Sequence, residues 1–173
     1  LQLRGLSGTL GTFIIIVFSI LVAMGAAGWL GIGLSPPVMS APVIVLTLSV
    51  ADCVHILTNW MQGMRRGLDK NAAMVESLRI NASPVFLTSI TTAIGFLSLN
   101  FSDAPPFRDL GNVAAIGVMA AWALSMGLLP ALVTLLPSRV RARGEHQPVM
   151  MDHFAGFVIR HRRPLFWVMG AVI

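Results

Sequence analysis

Of 173 residues, 55% are hydrophobic and 11% are charged, and the mean hydropathy is +0.80, whereas a soluble domain carries about a quarter charged residues. This excludes an ordinary soluble fold, and a single cysteine, Cys53, excludes a disulfide framework or cysteine-rich zinc site within the chain. The net charge of +5 raises nucleic acid as a partner, but no basic face with interleaved aromatics exists to receive it, and none is expected.

The expected fold class is an all-α membrane protein, a polytopic transmembrane helix bundle. A spanning helix needs roughly 20 mostly apolar residues. The first candidate runs over about 10–34 and has no charge. The second, about 42–62, has one acid, Asp52. Asp69 can cap a short surface helix over about 69–79, with Leu68, Ala72, Val75 and Leu78 on one face. The third span covers about 80–101. The fourth covers about 110–136, with Gly117, Ala121 and Ser125 at small-xxx-small spacing and Pro130 placed to kink or end it. Residues 138–163 read as a basic linker in which "FAGFVIRHRR" lies at the membrane interface. Residues 164–173 read as the start of a further span. The segments are too long and too evenly apolar for barrel strands. The chain begins at Leu1 and stops at Ile173 inside an apolar run, so it is expected to be an internal piece of a larger protein.

The linkers give the orientation. Arg4, Arg65, Arg66, Lys70, Arg79, Arg139, Arg141, Arg143, Arg160, Arg162 and Arg163 fall on one side, leaving Arg108 alone among the 12 basic residues on the other. Positive-inside bias makes the first side cytoplasmic. The basic excess is therefore a matter of topology.

The residue that needs a function is Asp52. An aspartate at the centre of a span costs about 2.5–3.5 kcal/mol to insert. It is tolerated facing a packed or watery interior with partners. In "SVADCVHILTNW", Ser49, Asp52, His55 and Asn59 share a stripe about 120° wide. Apolar surroundings penalise the charged carboxylate, so the group can be neutral in one arrangement and ionised in another, with His55 one turn away as relay partner or packing donor. The alternative is a permanently protonated Asp52 that glues helices together. In "SPVFLTSITTAIGFLS", Pro84, Thr88, Thr91, Thr92, Gly95 and Ser98 form a polar face that could receive the acid or simply pack. Cys53 reads as a small core residue. His146, His153 and His161 lack metal-ligand spacing, "NAS" at Asn81 matches a glycosylation sequon but falls on the cytoplasmic side, and no phosphate loop, Ser/His/Asp set or carboxylate pair occurs. No metal, cofactor or enzymatic activity is expected.

"ADCVHIL", "LLPALVTLLP" and above all "LRINASPVFLTSITTAIGFLSLNFSDAPPFRDLGNVAAIGV" resemble the resistance–nodulation–division superfamily in its MmpL-like, hydrophobe-exporting branch. The resemblance runs from the first span to the start of the fifth. It implies a fragment of the transporter's membrane domain: helices three to six and the first turns of helix seven. It maps the family's proton-carrying acid onto Asp52, with Cys53 where many members have a second Asp or a Tyr. The implied function is export of lipids or other hydrophobic molecules across a bacterial inner membrane, driven by the proton gradient. The implied partners are protons, membrane lipids, a hydrophobic or lipid substrate and the second half of the same chain, with homo-oligomerisation open. The same helices also serve as sterol-sensing domains, so a lipid-binding regulatory module without transport is the alternative.

Overall fold

The computed structural model describes residues 3–135, with side chains from residue 8. The expectations for 138–163 and 164–173, and those on His146, His153 and His161, lie outside the described residues. Four long helices account for nearly all of the described chain: α1 Leu3–Trp29, α2 Ala41–Arg65, α3 Lys70–Leu97 and α4 Pro105–Leu135. Short 3₁₀ turns at Val38–Ser40 and Ser98–Phe101 lead into α2 and out of α3. No strand occurs among the described residues. Each helix is long and apolar enough to cross a membrane.

Backbone chemistry sets the ends. The first apolar run continues to residue 34, yet α1 stops at Trp29. Gly31 takes φ +69°, its N–H bonds to Gly28 O at 3.2 Å, and Ile32 N–H bonds to Ala27 O at 2.9 Å. This is a Schellman cap, which satisfies the last carbonyls and turns the chain away. α2 ends in the same way at Gly67, φ +92°, with Gly67 N–H to Met64 O and Leu68 N–H to Gly63 O, both 3.2 Å. Apolarity says nothing about such turns, so the helix is shorter than the apolar run.

The separate surface helix over 69–79 does not form. Asp69 does cap a helix, accepting from Asn71 N–H at 3.3 Å, but that helix is α3 itself, unbroken to Leu97. No glycine or proline lies between residues 70 and 83 to stop it, and Pro84 removes only one intrahelical bond. The packed face of its first turns is also different. Ala73, Met74, Ser77 and Asn81 are buried, while Val75 is exposed. Small residues decide this: a Cβ on Gly63 of α2 would lie 3.0 Å from Ala73 Cβ, so the two backbones come together there. Pro130 does not end α4, which continues to Leu135.

α4 packs against all three other helices. Gly117, Ala121 and Ser125 are all buried. A Cβ on Gly117 would overlap Val45 of α2 and come within 2.9 Å of Ala23 Cβ on α1. The core has two parts. One, towards the α1–α2 and α3–α4 turns, holds Ala23, Ala27, Val38, Ala41, Val45, Leu110, Val113 and Ala114. The other, towards the basic α2–α3 turn, holds Ile15, Cys53, Ile56, Trp60, Ala73, Met74, Leu129 and Val133.

Candidate functional site

Along each of α1, α2 and α4 a buried serine separates the two clusters: Ser19, Ser49 and Ser125. Each hydroxyl donates within its own helix, to Ile15 O at 2.7 Å, Val45 O at 2.7 Å and Trp122 O at 2.9 Å. Such back-bonding lets a serine lie in an apolar core without a partner helix. Asp52 sits at the same boundary, nearly midway along α2 and only 6% exposed. Ser49, one turn before it, is already satisfied by Val45 and does not bond to it.

Among the described residues Asp52 has no hydrogen bond and no ion pair. Nor is a counter-charge placed at its depth. α1 carries no charged residue from Gly8 onward, the charges of α3 stop at Arg79, and those of α4 stop at Asp109. Cys53, fully buried, belongs to the apolar cluster and faces Thr12 of α1. His55 is exposed and makes no hydrogen bond among the described residues. The described helices thus keep Asp52 and His55 on one stripe of α2 but do not join them.

The threonine face of α3 turns away from the bundle. Thr88 and Thr91 are exposed, and Thr92 is half-buried. Their hydroxyls donate to Pro84 O, Leu87 O and Thr88 O at 2.8, 2.7 and 2.7 Å. Ser98, also exposed, donates to Gly95 O at 2.6 Å. Among the described residues none of these hydroxyls bonds to Asp52. Val85, Ser89 and Ala93 face inward instead.

α2 and α3 are joined by a different group. Asn59 Nδ2 donates to Asn81 Oδ1 at 3.0 Å, and Asn81 Nδ2 donates to Ser77 O at 2.8 Å. Ser77 Oγ donates to Ile56 O at 2.6 Å. Asn59 lies on the stripe of Asp52, whereas Asn81 shows in the sequence only as part of a sequon. The missed signal was physical: an amide at membrane depth must find partners, and two of them on adjacent helices can satisfy one another. Nearer the basic turn, Trp60 Nε1 donates to Lys70 O at 3.2 Å, and Lys70 Nζ donates to Thr134 O at 2.8 Å. That ammonium lies against the last described turn of α4. No group of metal-ligating side chains occurs among the described residues.

What this arrangement can do follows from its isolation. A lone carboxyl between two apolar clusters changes its interaction with the whole bundle when it gains or loses a proton.

The chain is similar to the Methanocaldococcus jannaschii protein MJ1562, 26% identical over 137 residues, or 76% of this chain and 35% of that one. It is also similar to the hopanoid transporter HpnN of Rhodopseudomonas palustris, 27% identical over 118 residues, covering 65% of this chain and 13% of HpnN. ActII-3 of Streptomyces coelicolor is 28% identical over 97 residues, 56% of this chain and 14% of that protein. The chain thus spans about a third or less of the length of these relatives. No solved structure matches it. Its four apolar helices and its membrane-protein relatives make it part of an integral membrane protein. The model of the MMPL family matches residues 6–166: the chain belongs to the MMPL family.

Proposed function

We propose that this chain is part of the membrane domain of a proton-driven secondary transporter that exports lipids or other hydrophobic molecules, with Asp52 as its proton carrier. The observation that carries the reading is the isolation of Asp52, 6% exposed between two apolar clusters with no hydrogen bond or ion pair among the described residues. A hydrophobic cargo is supported by the similarity to a hopanoid transporter. The positive-inside bias of the linkers supports a cytoplasmic α2–α3 turn, and in this reading the membrane is a bacterial inner membrane. The protein moves its cargo without chemical conversion, so it is not an enzyme.

In the working cycle the Asp52 carboxylate takes a proton from the outer side and loses its charge. α2 then repacks against its neighbours, and release to the cytoplasm restores the carboxylate. One proton crossing 100 mV delivers about 2.3 kcal/mol, which shifts a two-state equilibrium roughly fifty-fold. Turning a 1:99 population into 99:1 needs about 5.5 kcal/mol. A complete switch therefore takes a larger gradient or more than one proton per cycle.

The test is Asp52→Asn in the full-length protein, with export measured under an imposed proton gradient. Asn keeps the shape and removes the titration, so export should fall to background while the folded protein persists. Wild-type export from this variant would overturn the reading and favour a lipid-sensing module in which Asp52 is structural.

A further inference from the structure

Asp52 is separated from the basic turn by the apolar cluster of Ile15, Cys53, Ile56, Trp60, Met74 and Leu129. A proton leaving towards that side needs a polar route through the cluster. Between α2 and α3 the cluster is interrupted by a seam of Asn59, Asn81 and Ser77, with the Trp60 Nε1–Lys70 O bond beyond them next to the turn, while on the α1 side Cys53 meets Thr12. Asn59 lies seven residues after Asp52, which turns it back to within about 20° of the same stripe and about 10.5 Å further along the axis. Asn81 is 5% exposed and spends both amide ends on this seam. An all-apolar contact would hold two helices together as well. A buried amide pair here supplies what packing does not, a polar lining at one depth.

We propose that the Asn59–Asn81 pair lines and sets the cytoplasmic route by which Asp52 releases its proton; this rests on the transport reading above. The pair acts as a positioning element. The proton leaves the Asp52 carboxyl for solvent water on the cytoplasmic side, giving hydronium there and a carboxylate on α2. The amides neither take nor give it. The groups that could compete at this depth are few. On α2 they are His55, exposed, and the thiol of Cys53, buried in the apolar cluster. α1 offers none from Gly8 on, α4 none after Asp109, and Lys70, Glu76 and Arg79 of α3 all lie nearer the turn than Asn81.

The test reads the protonation of Asp52 rather than cargo. Dicyclohexylcarbodiimide adds to a protonated carboxyl, and its adduct on Asp52 is quantified by mass spectrometry in vesicles holding the full-length protein. The pH is set independently on the two sides. In the wild type, raising the cytoplasmic-side pH should slow labelling. In Asn59→Leu and Asn81→Leu, of nearly equal size but apolar, labelling should lose that response by about tenfold while keeping its response to the opposite side. The double variant should be no worse than either single one, because the two residues act as a unit. Asn59→Ala removes one hydrogen bond and leaves Asn81 on Ser77; it serves where Asn81→Leu fails to fold, and it should weaken the response in the same sense. Wild-type response to cytoplasmic pH in folded Asn59 and Asn81 variants overturns the inference. If Asp52→Asn stops export but these variants respond normally, only the route is wrong. If Asp52→Asn exports normally, the transport reading itself has failed.

Discussion

The two halves of the bundle are held together by different means. Away from the basic turn the contacts are made by Ala, Val and Gly. There Gly117 lets α4 press against Val45 and Ala23, and the amide pair Asn100–Asn112, bonded in both directions at 2.9 and 3.1 Å, lies exposed at the end. Next to the basic turn the side chains are larger (Ile56, Trp60, Met74, Leu129), and polar groups tie the helices through Asn59–Asn81, Ser77–Ile56, Trp60–Lys70 and Lys70–Thr134. The first half is close-packed and apolar. The second is filled by bulk and cross-linked by hydrogen bonds. Asp52 stands where one regime gives way to the other, so a change in its charge acts on a seam between unlike halves.

That contrast can be broken by substitution. Ile56→Ala removes a fully buried side chain from the bulky half and should cost about 2–5 kcal/mol of folding stability, measured by denaturant titration in mixed micelles. A cost under half that range would mean the half collapses around the gap and is not filled by bulk. Gly117→Ala inserts one methyl into the tight half. It should cost about 1–3 kcal/mol in the same titration, with Val45→Ala recovering part of the loss. A neutral Gly117→Ala would show that the helices separate freely there. Asn100→Ala, at an exposed pair, should change stability by less than about 0.5 kcal/mol. A large loss would mean that this end, too, depends on hydrogen bonds.

Much of this architecture is legible in residue order. Four uncharged or nearly uncharged runs make four helices, Asp69 caps where an aspartate should, and the lone acid is interior. What eluded the pattern is relational. α3 carries two stripes of small residues, one with Thr88, Thr91 and Gly95 and one with Val85, Ser89 and Ala93, and periodicity does not rank them. Threonine hydroxyls satisfied by their own helix need no neighbour, so the more polar stripe is free to face outward. Helix ends were misplaced for a similar reason, since hydropathy continues past Gly31 while the backbone does not.

The turn between α2 and α3 has one further consequence. Only residues 66–69 separate the two helices, Gly67 holds a φ of +92°, and Gly63 sits against Ala73 just above. Such a connection has no slack. α2 cannot slide like a piston past α3, so any movement of α2 must either carry the hairpin as one lever or tilt and swivel α2 about that anchored end.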